Sequence, residues 1–277
     1  MLRATAYGKS RVRLVQLTRR TDRHELCDLT IAIRFQGDYD ESYTVGDNSA
    51  VLPTDTMKNT VYALAARDGV SEPEAFGVAL AHHFLDRNPV LRQVRVDIQD
   101  HFWGRIAVGG REHGQAFSRV GPDSRTARIT STRDRTLIDA GVADLLIMKT
   151  GHSAFTGYPR DDLTTLPETR DRILATSLTA TWRYTGVPSD FGTHWRAVRS
   201  TLLEAFAEHD SRSVQHTLHD IGEAVLRSVD IVESIHLVMP NRHHLPVDVS
   251  PFGVENRNEI FVATTEPYGL IEATIAR

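Results

Sequence analysis

Thirteen histidines and one cysteine set the first limits on the chemistry open to this 277-residue chain. His82-His83, His216-x-x-His219 and His243-His244 invite a metal reading. No H-E-x-x-H pattern accompanies them, and acidic neighbours at ligand spacing are scarce. Cys27 stands alone, so neither an intrachain disulfide nor a thiolate cluster can form. Within the apolar segment 26–33 it reads as a reduced, buried thiol. Gly109-Gly110 makes neither a dinucleotide fingerprint nor a P-loop, and haem, flavin and nicotinamide sites leave no signature. With no global field of one sign, any anionic ligand would have to be held by a few local donors. Pro53-Thr54-Asp55 stands at a helix start, where the first backbone N–H groups lack helical partners and can donate to an anion. A plain N-cap role for Thr54 is compatible with that. Arg172 carries a planar fork of donors, which in isolation reads as half of a surface salt bridge. Gln215, in the first turn of another helix, has both a donor and an acceptor. Phe155 alone reads as a core aromatic, Lys9 as an exposed lysine and His243 as one of many surface histidines.

These groups must be positioned by elements whose apolar periodicity is legible. Residues 25–35 alternate and are rich in β-branched types, which predicts a strand. Turn-forming residues fill 37–49. Met57, Val61, Leu64 and Ala65 share one face of a helix beginning near Pro53. A second helix is expected from 71 to about 85, with Glu72, Pro73 and Glu74 in its first turn, where negative charge suits the helix dipole. Strand-like pieces follow at 93–98, 104–108, 116–120 and 126–131. The second part repeats the order. Strands are expected at 145–148 and 173–184, then a helix from about 193 with Trp195, Val198, Leu202 and Phe206 in one stripe. Another helix starts near Ser213 with Leu218, Ile221, Val225 and Val229 inward, and strands at 231–238, 259–264 and 270–275 close the chain. Each half thus reads strand, strand, helix, helix, strand, strand, with a boundary near 134/135 and no low-complexity linker. This is an α+β layer arrangement, and its open sheets leave edges that assembly with other subunits would cover.

Composition narrows the partners. The chain is 40% hydrophobic and 25% charged, ordinary for a globular protein, with 32 basic against 36 acidic side chains and a formal charge of −4. Nothing in that balance supports nucleic-acid binding. No run approaches the ~18 apolar residues of a membrane helix. The first residues lack a signal-peptide core, and the last, Thr274-Ile275-Ala276-Arg277, are not a Ser-Lys-Leu type of peroxisomal address. A cytoplasmic location is the expectation.

Five patches resemble the urate oxidase family, and they occur in that family's order. They are Tyr7-Gly8-Lys9-Ser10-Arg11-Val12-Arg13; Thr54-Asp55-Thr56-Met57-Lys58-Asn59-Thr60-Val61-Tyr62, against the family's T-D-[ST]-x-K-N-T-x-[YF]; and residues 149–172, with Phe155, Gly157, Arg160-Asp161, Thr164-Thr165-Leu166 and Asp171-Arg172. Next come Ser213-Val214-Gln215 and Met239-Pro240-Asn241-Arg242-His243, the latter followed by Pro267-Tyr268-Gly269-Leu270-Ile271. Three positions depart from the pattern. Gly151 replaces a usual Ser or Thr, Leu163 an aromatic, and Gln115 a frequent histidine.

The resemblance implies tandem tunnelling-fold domains, 1–134 and 135–277, each a four-stranded antiparallel sheet with two helices on one face. It further implies a homotetramer in which paired subunits close a barrel, so that Thr54 and Asp55 reach a neighbour's site. The implied reaction takes urate, O2 and water to 5-hydroxyisourate and hydrogen peroxide without metal or other cofactor. Urate is a flat, electron-rich anion, and once further deprotonated it is itself the reductant. Arg172 and Gln215 would grip its opposite edges, Phe155 would stack on the ring, and Val214, Thr54 and Asp55 would add contacts. Asn241 would donate to oxygen or water above the ring, and Lys9, Thr54 and His243 would form the proton relay. Coupling is the physical point of such a relay, since none of these side-chain types is a strong base at neutral pH. Two alternatives are a pterin-acting tunnelling-fold enzyme, disfavoured by the lone cysteine because such enzymes commonly hold zinc with Cys and His, and a non-catalytic purine-binding homologue.

Overall fold

A computed structural model describes residues 2–277, and the chain in it divides into two compact units. The first comprises Met1–Gly141 with Arg183–Trp195, and the second Val142–Trp182 with Arg196–Arg277. In the first, strands β1 (Tyr7–Arg19) and β2 (His24–Gly37) are followed by a single-turn helix α1 (Asp40–Thr44), helices α2 (Thr54–Asp68) and α3 (Pro73–Arg87), and strands β3 (Leu91–Val108) and β4 (Arg111–Ser131). The strand order is β1-β2-β3-β4, with neighbours antiparallel. On β2, Leu29, Ile31, Ile33 and Phe35 are all buried, as the period-two pattern requires when one sheet face is covered. Met57, Val61, Leu64 and Ala65 of α2, with Phe76, Leu80, Phe84 and Leu85 of α3, complete that core.

The differences from the expected elements have local causes. Strand β1 escapes a pattern search because Lys9, Arg11 and Arg13 crowd it and only Val12 and Leu14 point inward to full burial. A bulge between Lys9 and Val12 breaks its register, with Arg11 at φ 57°. The four short pieces after α3 are two long strands. Their alternation fails because β2 pairs with β3 only as far as Asp100, beyond which the hairpin pairs with itself and turns through exposed Gly109-Gly110.

Glu72 and Glu74 sit at the α3 start as expected, but they also anchor the helix to the sheet. Arg125 of β4 grips the fully buried Glu74 bidentately at 2.6 and 3.1 Å and reaches Glu72 at 2.7 Å. Its guanidinium lies 5.5 Å from the Trp195 ring centroid.

The second half of the chain forms strands β5 (Thr136–Lys149) and β6 (Leu174–Tyr184), helices α4 (Phe191–Glu208) and α5 (Val214–Ser228), and strand β7 (Val232–Arg242). The start of β5, the end of β6 and the start of α4 belong to the first unit and the remainder to the second. The short pair β8 (His244–Pro246) and β9 (Phe261–Ala263) forms a sheet of its own, and β10 (Gly269–Ala276) returns antiparallel to β7. The strand order is β5-β6-β7-β10. Val198, Leu202 and Phe206 of α4 and Leu218, Ile221 and Val225 of α5 are buried, as their stripes predict. Strand β5 is longer than 145–148 because Ile138 to Val142 are buried on both faces, which erases alternation. Both halves seat their second helix tightly: a Cβ at Gly77 would fall 2.5 Å from Ile129 Cδ1 of β4, and one at Gly222 would fall 2.6 Å from Ile275 Cδ1 of β10. No described helix is long and apolar enough to cross a membrane.

Burial pushes the Asp100 carboxyl up to about 6; Arg125 opposes this, while Glu74, Asp28 and Glu72 reinforce it. A carboxyl raised in the folded state contributes stability at low pH that is lost as pH rises through that value. Asp100→Asn is therefore expected to stabilise the protein by about 2–3 kcal/mol near neutral pH, a gain that fades below the unfolded-state value of about 3.9. Thermal unfolding of both proteins across pH checks this, and a gain independent of pH would contradict it.

Candidate active site

In the first unit, Gly8 lets β1 approach β2 closely: a Cβ there would sit 1.9 Å from Ile33 O, so no other residue fits. Lys9 follows, half-buried, just before the bulge. Thr54 is the first residue of α2, with Pro53 as the N-cap and no side-chain cap. The plain N-cap reading of Thr54 is thereby corrected: proline precedes it, so the hydroxyl is not spent on capping. The first in-helix bond runs from Met57 N–H to Pro53 O, which leaves the N–H groups of Thr54, Asp55 and Thr56 without helical partners. Asp55 turns its carboxylate along its own helix, accepting from Lys58 Nζ at 2.5 Å and Asn59 Nδ2 at 3.0 Å. Lys58, then Asn59 and the more distant Lys9, hold this carboxyl below its usual range. The Lys-Asn pair of the second motif thus fixes Asp55, and Tyr62 ties α2 to β1 through a bond from its hydroxyl to Arg13 O at 3.1 Å.

The second unit holds Phe155, Arg172, Val214, Gln215, Asn241 and His243. The Arg172 guanidinium lies 5.3 Å from the Phe155 ring centroid, and its Nε is sealed from solvent without a hydrogen-bond partner. No described carboxylate pairs with it, contrary to the surface salt bridge an isolated arginine suggests, and burial pulls its pKa down. Tyr158 stacks on Phe155 at 4.8 Å and 16°, its hydroxyl donating to Leu166 O at 2.6 Å. Val214 and Gln215 open α5. Ser213 Oγ accepts from His216 N–H at 3.1 Å, so the Val214 and Gln215 N–H groups stay free of capping. Asn241 is buried on β7 opposite Gly269, and among the described residues its amide has no hydrogen-bond partner, nor does the His243 ring.

Backbone bonds join these segments. Arg172 N–H donates to Ser153 O at 2.9 Å, and Phe155 and Thr169 exchange bonds of 2.8 and 3.1 Å. Ser211 N–H donates to His152 O at 2.9 Å, and Ala154 N–H donates to Ser211 O at 2.7 Å. The arginine loop is thereby stitched to the start of α5. Tyr158, Ser211 and Thr217 are participants that the sequence reading did not single out, although Ser-x-Ser-Val-Gln-x-Thr is visible around Gln215. Of the departures, Leu163 is 88% exposed at a turn built by Asp161 and Thr164, and Gln115 is exposed on the β3–β4 hairpin. The described residues include no group of three or more His, Cys, Asp or Glu placed to hold a metal ion.

Duplicated four-stranded antiparallel layers, each with its pair of longer helices, define a tandem tunnelling-fold protein. The uricase family model matches residues 5–130 and 138–272. A uricase of Arthrobacter globiformis is 45% identical over 271 residues, covering 98% of this chain and 88% of that one. A uricase of Dictyostelium discoideum is 38% identical over 275 residues, covering 98% and 96%. The crystal structure of the Arthrobacter globiformis uricase matches with a TM-score of 0.95 at 44% identity, over 100% of this chain and 95% of that one. The chain belongs to the uricase family.

At Gly151 an added Cβ would lie 3.5 Å from Asp171 Oδ1, an ordinary contact, and the backbone there is not left-handed. A serine hydroxyl could donate to that carboxylate, beside Arg172. Gly151→Ser is expected to raise stability by about 0.5–1 kcal/mol, chiefly by restricting the unfolded chain. Urea unfolding checks it, and a lowered midpoint would show that the loop needs glycine.

Proposed function

We propose that the protein oxidises urate with O2 and water to 5-hydroxyisourate and hydrogen peroxide, using no metal or organic cofactor. The observation that carries this reading is Arg172, a half-buried cation beside Phe155 with its Nε unpartnered and no carboxylate to neutralise it. An electron-rich anionic purine supplies the missing charge, a planar edge for the guanidinium fork and a ring to stack on Phe155. Gln215 matches the opposite edge with its amide, and the free Val214 N–H adds a donor. Asn241, a largely buried residue of β7, can donate its amide to oxygen or water above the ring.

Two electrons leave the twice-deprotonated urate and reduce O2 to peroxide; water adds to the oxidised ring carbon. Protons must leave urate and its attacking water and arrive on peroxide. Lys9, Thr54 and His243 are assigned to that relay, with the Thr54 hydroxyl uncommitted to helix capping. Thr54 and Asp55 belong to the first half, 1–134, and Arg172 and Gln215 to the second, 135–277. In the proposed homotetramer the first pair completes the site of a neighbouring subunit. The pterin-acting and non-catalytic alternatives are not favoured, since both halves match the uricase family.

Purified protein mixed with urate in air is expected to consume one O2 for each urate and to release peroxide, before and after exhaustive chelation. Urate loss without oxygen uptake sinks the reaction, and activity that a stoichiometric metal must restore sinks its cofactor independence. Sharing of sites is tested by co-expressing Thr54→Ala and Arg172→Ala chains, each expected to be nearly inactive alone. In a mixed two-fold pair one site collects both defects and the other none, so random mixing should recover about a quarter of the sites. Well-mixed oligomers as inactive as the separate variants would disprove sharing.

A further inference from the structure

We propose that Ser211 and Thr217 are positioning residues: their buried hydroxyls set the spacing between the Phe155–Arg172 loop and the first turn of α5, which bears Val214 and Gln215. The proposal rests on the reading of those four residues as the urate grip. Ser211 is 1% exposed and Thr217 fully buried. Thr217 Oγ1 donates to Ser211 Oγ at 2.7 Å, and Ser211 Oγ donates to Ser213 O at 3.1 Å. Thr217 Oγ1 also lies within bonding distance of Ser213 O, at 3.2 Å, so the two hydroxyls converge on the N-cap carbonyl, with the shorter Thr217 bond being the one that links α5 to Ser211. Through its main chain the same Ser211 is bonded on both sides to the arginine loop, at His152 O and Ala154 N, one residue from Ser153, which accepts from Arg172 N–H at 2.9 Å.

Neither side chain belongs to the set that would touch urate. Threonine is a poor helix former, and buried hydroxyls cost free energy unless bonded. Apolar side chains of similar size would fill the space, but they would leave the turn and the loop joined only by main-chain bonds. The hydroxyls add direction: they fix how far α5 is rotated about its axis, and that rotation aims the Gln215 side chain. Small misplacements of binding groups are expensive when two edges of one rigid ligand must be met at once.

The test compares Thr217→Val and Thr217→Ser with the parent, reading urate binding by equilibrium dialysis under argon, where no turnover occurs, together with KM and kcat in air. Thr217→Val is expected to raise the dissociation constant and KM about tenfold, more than it lowers kcat, and Thr217→Ser to restore both to within about twofold. Ser131→Ala, which removes a buried hydroxyl pair with Thr136 at 3.0 Å in the first unit, should lower Tm without moving either constant. Unchanged urate affinity in folded Thr217→Val would overturn the proposal. If that variant is unfolded at the assay temperature, Ser211→Ala deletes the same bond from its acceptor side and is read by the same criteria. Arg172→Ala run in parallel separates the two readings. Binding that survives it rejects the urate grip itself, whereas binding lost there but intact in Thr217→Val rejects only the positioning role.

Discussion

Arg172 keeps a positive charge half-buried, its Nε shut off from water, with no described carboxylate to neutralise it. In surroundings less polar than water that arrangement costs free energy. The loop that carries it would swing the guanidinium outward unless held. Much of the local structure of the second unit acts as that restraint. Main-chain bonds from Arg172 to Ser153, between Phe155 and Thr169, and from Ser211 to both sides of Ser153 fix the loop without using a side-chain donor of Arg172. Tyr158, anchored through its hydroxyl, backs the Phe155 ring. A charge left unpaired on a rigid support is already oriented when an anion arrives, so little ordering remains to be done on binding.

The two halves share their order of elements and their tight glycine contacts, yet they resolve buried polarity in opposite ways. In the first, Arg125 is surrounded by Glu72 and Glu74, and the ion pairs lock α3 to β4. Removing one partner of such a cluster strands a buried charge and costs about 3–5 kcal/mol, while the intact cluster offers nothing to a ligand. In the second, the arginine has no acidic partner and the helix is fixed by neutral hydroxyls instead. The two layers share their order of elements, and they differ in that only the second leaves a half-buried arginine without a described carboxylate partner.

Legibility from sequence followed the same division between apolar pattern and polar geometry. The stripes of α2, α4 and α5 and the alternation of β2 were readable because one covered face imposes a period. Strand β1 was not, since a bulge and three basic residues break its period; nor was the start of β5, where Ile138 to Val142 are buried on both faces. The site residues were named through the order of five short patches and not from any physical signal in each residue. Nothing in composition distinguishes Arg172 from the other arginines; its isolation from carboxylates exists only once the loop is folded. Ser211 and Thr217 could not be picked out either, because a hydroxyl's value depends on which backbone carbonyl it meets.

The four longer helices show how the same backbone feature is closed in one place and left open in another. Each helix start presents N–H groups without helical partners and a partial positive charge. Glu72 and Glu74 fill the start of α3, and Asp190 caps α4 by accepting from Thr193 N–H at 2.8 Å. Carboxylates in these positions stabilise their helices by about 0.3–1 kcal/mol each and block access to an outside anion. The starts of α2 and α5 are treated differently. Asp55 is drawn away along its helix by Lys58 and Asn59, and the first turn of α5 has no acidic residue, only the neutral Ser213 cap. Of the two, α5 forgoes the stabilisation that an Asp or Glu in its first turn would provide, while Asp55 of α2 is occupied by Lys58 and Asn59. These are also the two helices that begin with Thr54-Asp55 and Val214-Gln215, so the donors left free are those assigned to an anionic substrate.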